Sequence, residues 1–314
     1  MYLINKSRGM EIDRNIRCRK QDLLSYFRGR SQEIVAELEL EYSINDYKKK
    51  TSALNRAMID SRDNLLAILE EKAKSEKWGN EELLECALMI YYTNDVVMLE
   101  VRNSVWEYEY MSFSRRIGEL WEPFCKLCFR YPLTGISSFL PPLFSEVKRQ
   151  LTDEISLYIS RLAIKEEEKS QLAKYYDKVW CLVTSGEIKL ECDLHFLKDG
   201  IRYIVDFKSG FGSNEKGNTN RLLLVGSIYD SIETEKYRCL IFVRSSENNH
   251  YLATLQSSGV WDTYTGDDTY GKIKEFTGYD IRRWIVNNVD WMGDFSDLMK
   301  ATIKSHDLEK YLIW

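Results

Sequence analysis

Two aspartates and a lysine flank a short turn in the second half of the chain. The dipeptide Asp199-Gly200 has the composition of a two-residue type I′ turn, which fixes the register of the strands on either side. Counting outwards from the turn places Asp193 opposite Asp206, and Glu191 opposite Lys208. Side chains at opposed positions, and those two apart on one strand, share a face of the hairpin. The sequence therefore predicts one open face that carries all four charged groups.

The chemistry that these groups could perform is hydrolysis of a phosphodiester. Two carboxylates whose Cβ atoms lie about 5 Å apart repel each other, and a hard divalent cation such as Mg²⁺ relieves that repulsion. Lys208 can orient a water molecule at such a site and stabilise charge that develops on phosphorus. The alternative is a solvent-facing hairpin whose charges alternate, with Glu191 and Lys208 as a cross-strand ion pair.

The other face of the same hairpin is apolar. In the predicted register this face holds Ile188, Leu190, Cys192, Leu194, Phe196, Val205 and Phe207. Apolar and polar side chains that alternate with a period of two are typical of a half-buried strand. We therefore expect this face to pack into a core.

The acids and the lysine of the hairpin match a known motif. Cys192-Asp193, followed on the next strand by Asp206-Phe207-Lys208, resembles the motif of the PD-(D/E)XK nucleases. In that superfamily a hairpin presents an aspartate and an acid-x-lysine group. Cys192 stands where the name-giving proline would be, a proline that many relatives also lack. The resemblance covers residues 114–245.

An earlier helix extends the resemblance. Nucleases of this superfamily often carry a further acid on a helix before the hairpin, and Arg116–Phe124 is similar to that helix. Glu122 is in the matching place, and Glu119 is the alternative. Pro123, beside the helical acid, departs from the pattern and can bend the helix. If neither acid serves, Glu191 is the remaining candidate for a third carboxylate.

The resemblance implies a fold, an activity and partners. The fold class is α/β, a restriction-endonuclease-like short mixed β-sheet flanked by helices with an N-terminal helical domain. The activity is that of a type II restriction endonuclease, Mg²⁺-dependent hydrolysis of double-stranded DNA at a specific sequence. Asp193 and Asp206 would hold the metal, Glu122 would assist, and Lys208 would position the attacking water. A homodimer is the natural partner of a palindromic site, and the N-terminal helices are candidates for its interface.

Two other functions remain open. One is a structure-selective or repair nuclease with the same chemistry. The other is a non-catalytic DNA-binding or helical interaction protein whose hairpin acids are incidental.

A polar, glycine-rich loop follows the lysine and leads into a helix. Asn side chains can read adenine edges, and Lys or Arg can bind phosphate or guanine. The loop lacks the closing Gly-Lys-Ser/Thr of a phosphate-binding P-loop. We predict that it contacts DNA, with an ordinary connector as the alternative. The candidate DNA-binding residues are Ser213, Asn214, Lys216, Asn218, Asn220 and Arg221.

The proline distribution divides the chain. All four prolines lie between positions 123 and 142, which favours long helices before them. We predict a helical domain over 1–112 and a nuclease domain over 113–314. Within the second domain we expect helices at 114–129, 142–163, 221–231 and from 280 onwards. Strands are expected at 179–184, 188–197, 201–207, 238–243 and 250–255.

Charge is unevenly distributed along the chain. The net charge is −5, which argues against a protein that is basic overall. The first thirty residues nevertheless form a basic segment, which we interpret as a phosphate-contacting arm or, alternatively, a solvated helix face. Its basic residues are Lys6, Arg8, Arg14, Arg17, Arg19, Lys20, Arg28 and Arg30.

Composition is that of an ordinary globular chain, 44% hydrophobic and 30% charged. No apolar run approaches the roughly 18 residues that span a bilayer, and the first residues lack the apolar core of a secretory signal. We therefore expect a cytoplasmic protein with no membrane partner. The seven cysteines are expected to be reduced and mostly buried.

Overall fold

The computed structural model describes residues 10–43, 45–183, 188–212 and 215–314, although nothing is described of the side chains of 180–183. The fold is mixed α/β, with a five-stranded mixed sheet. Among the described residues, no helix combines the length and apolar character needed to cross a bilayer. The described α-helices are α1 (Lys20–Glu41), α2 (Tyr47–Glu76), α3 (Asn80–Val105), α4 (Tyr110–Arg130), α5 (Phe144–Arg161), α6 (Glu166–Val183), α7 (Lys216–Asp230), α8 (His250–Ser257), α9 (Asp267–Thr277), α10 (Ile281–Asn288), α11 (Trp291–Asp294) and α12 (Asp297–Ser305). The strands are β1 (Ser137–Ser138), β2 (Leu194–Lys198), β3 (Ile201–Lys208), β4 (Tyr237–Val243) and β5 (Trp261–Thr265).

The chain forms two compact units. A helical unit combines the described residues up to Gly135 with Thr265–Trp314, and a sheet unit spans Ile136–Tyr264. The predicted boundary at 112/113 differs from this division, because α4 and the C-terminal helices group with the N-terminal helices. Long-range packing joins segments that are far apart in sequence, and no local pattern marks such a grouping.

The helical unit is built around α3. Helices α1 to α3 occur in the proline-free region as predicted, and α4, predicted at 114–129, contains Pro123 without ending there. Helices α2 and α3 are separated by a break near residue 79. Lys77 has a left-handed conformation after α2, and Gly79 precedes the first residue of α3. Helix α3 is buried along most of its length because its apolar residues surround the axis rather than forming one stripe.

The sheet order is β1-β2-β3-β4-β5. Strand β2 is antiparallel to both β1 and β3, whereas β3 is parallel to β4. The predicted turn is confirmed, since Asp199 and Gly200 both have positive φ, 52° and 76°, as a type I′ turn requires. The predicted register is confirmed as well, with Lys198 paired to Ile201 and Leu194 to Val205.

Several strand predictions are wrong. Residues 179–183 belong to α6, and position 184 lies outside the described residues. Residues 250–255 form helix α8, which begins where the Asn249 side chain accepts a hydrogen bond from the Tyr251 amide. Short apolar runs do not distinguish strand from helix, because the alternation is too brief. Strand β5 was not predicted, and the strand expected from residue 188 begins only at Leu194.

Both faces of the central strands are covered. Ile204 on β3 and Ile241 on β4 pack in a cluster with residues from α5, α7 and α8. On the opposite face Val205 and Phe207 are also buried. The expectation of an open charged face is therefore wrong for Asp206, which is buried on the parallel pair, whereas Asp193 and Lys208 are half-buried and Glu191 is exposed. Leu190 and Cys192 also lie in the Ile204 cluster, not opposite it, since residues 188–193 are not in strand conformation.

Helix α7 is held close to the sheet unit's core by a tryptophan. The Trp261 indole Nε1 donates to the Leu222 carbonyl at 2.8 Å. A Cβ at Gly226 would lie 2.4 Å from that nitrogen, so only glycine allows this approach. The contact positions the N-terminal half of α7, which carries Arg221.

Candidate active site

Asp206 is the centre of the candidate site. It lies on β3 beside Ile241 of β4, and its side chain is 1% exposed. The Lys208 ammonium contacts Oδ1, and the Arg221 guanidinium lies 2.8 Å from Oδ2. Each carboxylate oxygen of this buried acid therefore has its own cationic neighbour.

Burial raises the pKa of Asp206 above its ordinary value, and the nearby Asp193 carboxylate raises it further. Lys208 and Arg221 act in the opposite direction because they favour the ionised form. The net effect is that ionisation of the buried Asp206 carboxyl group is unfavourable. An additional positive charge at this carboxylate would favour ionisation.

Asp193 lies just before β2, at the position that the register assigned opposite Asp206. Its Oδ2 accepts a hydrogen bond of 2.7 Å from the Phe207 amide. That bond ties Asp193 to the residue between Asp206 and Lys208. The Lys208 Nζ donates to the Phe207 carbonyl at 3.1 Å, and its side chain is 18% exposed. The structure thus brings Asp193, Asp206 and Lys208 together.

Cys192 and His195 are buried residues on either side of Asp193 in the sequence. His195 is buried, with its ring beside Phe139, and its Nε2 accepts from the Cys192 amide at 3.3 Å. The ring is covered because this face of the hairpin is packed against other residues of the unit. Burial raises the pKa of the Cys192 thiol to about 12, so this group stays neutral.

The donor set permits a magnesium ion but does not form a complete cage. Asp193 and Asp206 supply oxygen ligands, and Mg²⁺ binds through one or two carboxylates while keeping several waters. Among the described residues no group of three or more His, Cys, Asp or Glu side chains is placed to hold a metal. Glu191, considered as a third carboxylate, is exposed. The two aspartates therefore fit a hydrated ion better than a dehydrated one.

The predicted helical acid lies on α4, in the helical unit. Glu122 accepts from Lys126 at 2.6 Å, an ion pair one turn along the helix. Glu119 pairs with Arg115 at 2.7 Å and Arg116 at 3.0 Å. Both acids thus have basic partners on their own helix, and the role of Glu122 at the hairpin stays a prediction.

The candidate DNA-binding residues are distributed over the loop and the start of α7. Ser213 and Asn214 lie outside the described residues. Lys216 and Asn220 are exposed, as a DNA contact requires. Asn218 donates to Glu215 at 3.0 Å. Arg221, predicted from sequence only as a DNA contact, also binds Asp206, which sequence spacing gave no means to foresee.

The basic N-terminal segment makes ion pairs within the helical unit. Arg17 lies 2.7 Å from Glu85, and Arg19 lies 2.8 Å from Asp22. Arg14 lies 3.5 Å from Glu82. Lys6 and Arg8 fall outside the described residues. These pairs support the structural alternative for the segment, whereas the DNA-contacting arm stays a prediction.

Comparison with models of protein families, with curated proteins and with solved structures found no match.

Proposed function

We propose that this chain is a Mg²⁺-dependent endodeoxyribonuclease that cuts double-stranded DNA at a specific sequence, in the manner of type II restriction enzymes. One observation carries the proposal. The type I′ turn sets a register in which Asp193 is held beside the Asp206-Phe207-Lys208 segment by the Phe207 amide. That arrangement matches the order and spacing of the PD-(D/E)XK motif.

The sheet supports the proposal. An antiparallel hairpin, β2 and β3, continues into a parallel strand, β4, after the intervening helix α7. Helices from the same unit cover the face that carries Asp206. This is compatible with a restriction-endonuclease-like sheet, and the assignment to that fold is part of the proposal. A homodimer that reads a palindromic site is a further part of it.

The residues divide the chemistry among them. Asp193 and Asp206 would hold the ion, and Glu122 is the candidate for an additional acid. When bound, Mg²⁺ supplies positive charge to the phosphate and lowers the pKa of water. Lys208 keeps its ammonium beside Asp206, where it can donate to a phosphate oxygen and orient the attacking water. The loop and the start of α7 would contact the DNA backbone and base edges.

A second candidate function is a non-catalytic DNA-binding protein. The observation that favours it is the pairing of Asp206 with both Lys208 and Arg221. Such a cluster can stabilise a buried acid without any metal, because each carboxylate oxygen is already compensated.

Digestion of supercoiled plasmid with and without Mg²⁺ separates these functions. We expect discrete bands from the wild-type protein with Mg²⁺, and no cutting by Asp206→Asn or with chelator present. Asp262→Asn is the matched control, because Asp262 also pairs with an arginine, at 2.6 Å, but is well exposed.

Cutting confined to forks or flaps would instead indicate a structure-selective nuclease. A folded wild-type protein that binds DNA and leaves every substrate intact would favour the non-catalytic function. Asp206→Asn protein that cuts at the wild-type rate would refute the site.

A further inference from the structure

The Arg221 guanidinium contacts the Asp206 carboxylate oxygen that a divalent cation would need as a ligand. Its guanidinium lies 2.8 Å from Asp206 Oδ2, and the Lys208 ammonium contacts Oδ1. Asp206 is buried, so solvent does not screen these contacts as it would at the surface. A divalent ion placed at Oδ2 would face a positive guanidinium at close range, and the two charges would repel each other. Cation binding at Asp206 is therefore in competition with Arg221.

The side chain of Arg221 is placed where it can exchange the Asp206 carboxylate for another hydrogen-bonding partner. It is 40% exposed, whereas Asp206 is 1% exposed, so the arginine reaches a buried group from the protein surface. Its Nε points at the Asn218 Oδ1 over a long 3.4 Å, a weak restraint. The guanidinium can leave the carboxylate by rotation of its own side chain, without any opening of the core.

A DNA phosphodiester is the group that would compete with Asp206 for the Arg221 guanidinium. Arginine forms paired hydrogen bonds to phosphate oxygens as readily as to carboxylates, and its charge persists at every working pH. Lys216 and Asn220 are exposed on the same helix, five residues and one residue before Arg221. A DNA strand that contacts this end of α7 therefore brings phosphate groups within reach of the guanidinium.

We infer that Arg221 is a gate on the cation site. It neutralises Asp206 while the protein is free, and it releases Oδ2 to a divalent cation when a DNA phosphate takes the guanidinium. DNA binding and cation binding then reinforce each other, and the free protein holds the ion weakly. This inference rests on the proposed function, since it takes Asp206 to be a cation ligand. Arg221 acts here as a positioning residue, because its effect on the ion passes through Asp206.

Calcium binding to the DNA-free protein, measured by titration calorimetry at about pH 8, tests the gate directly. Ca²⁺ replaces Mg²⁺ so that DNA added later stays intact. We expect Arg221→Gln to bind Ca²⁺ about tenfold more tightly than the wild type, because one close positive charge is removed. Arg238→Gln is the matched control, since Arg238 pairs with the exposed Asp262 in the same unit. Its Ca²⁺ affinity should equal that of the wild type.

Repeating the titration with short random-sequence DNA duplexes measures the coupling. In the wild type, DNA should tighten Ca²⁺ binding, and Ca²⁺ should tighten DNA binding by the same factor, because linkage is reciprocal. In Arg221→Gln that factor should fall towards one. A merely structural role for Arg221 would lower the unfolding midpoint and leave the coupling factor unchanged.

Two further results separate the gate from the site. If Asp206→Asn binds Ca²⁺ as the wild type does, or if no variant binds Ca²⁺ with or without DNA, the site itself is refuted and the gate with it. If Asp206→Asn abolishes binding but Arg221→Gln neither tightens it nor loses coupling, the site stands and the gate is refuted.

Discussion

Each of the two compact units buries an aspartate, and the two side chains have different surroundings. Asp95 on α3 of the helical unit is fully buried, and burial raises its pKa to about 7. Arg62 and Arg116 are near enough to oppose that shift, yet among the described residues Asp95 forms no ion pair. Asp206 in the sheet unit is in direct contact with Lys208 and Arg221. The two carboxylates are thus buried to a similar degree, but only Asp206 is in direct contact with positively charged side chains.

The arginines near Asp95 are engaged elsewhere. Arg62 lies 2.8 Å from Asp63 and stacks on the Tyr91 ring at 3.9 Å, while Arg116 pairs with Glu119. Their charge reaches Asp95 only at a distance. The Arg221 side chain at Asp206 is 40% exposed, against 10% for Arg62 and 17% for Arg116, so it can rearrange when a ligand arrives. A partly exposed arginine therefore distinguishes Asp206 from Asp95, whose neighbouring arginines are more deeply buried.

The largest effect that would test this comparison is on cleavage. We expect Lys208→Gln to lower the rate of DNA cutting by about a hundredfold or more, because the site loses a positive charge at the reacting phosphate. Arg62→Gln should leave cutting unchanged but lower the urea midpoint, since Asp95 loses a compensating charge. Cleavage rates and urea unfolding of both variants provide the measurement. Loss of cutting in folded Arg62→Gln protein would break the distinction between the two acids.

A smaller effect concerns pH and Asp95. The folded pKa of about 7 lies above the ordinary 3.8, so the folded state holds this proton more tightly than the unfolded state. Stability from this group is therefore complete below about pH 4 and is lost as pH rises towards 7. The shift corresponds to about 4 kcal/mol as an order of magnitude.

Asparagine at position 95 cannot ionise, so Asp95→Asn should gain stability relative to the wild type between about pH 5 and pH 8. Urea midpoints at the two pH values measure this gain, with the exposed Asp60→Asn as control. A midpoint difference between Asp95→Asn and the wild type that does not change with pH would show that Asp95 ionises normally.

The smallest expected effect is on the basic N-terminal segment. Because Arg14, Arg17 and Arg19 pair with acids of their own unit, we expect their joint replacement by glutamine to leave the salt dependence of DNA binding unchanged. Binding measured over a range of salt concentrations gives the slope. A slope reduced by about 0.9 for each arginine would instead identify a phosphate-contacting arm.

Local chemistry made part of the molecule predictable from sequence. The absence of proline before residue 123 indicated the long helices, and Asp199-Gly200 indicated the turn and hence the register of β2 and β3. The strand prediction at 250–255 is wrong because helix and strand share such apolar composition. Asn249, which caps the start of α8, is the local feature that favours a helix there.

What the sequence alone determined is which residues oppose each other across the hairpin, because two consecutive residues with positive φ leave only one register for Asp193 and Asp206. What only the tertiary structure decided is the environment of that pair. Burial of Asp206 depends on α7 packing over the sheet, and that packing depends on Trp261 meeting Gly226. The contact between Arg221 and Asp206 follows from the same packing. This contact joins strand β3 to helix α7, and the spacing of residues along the chain does not predict it.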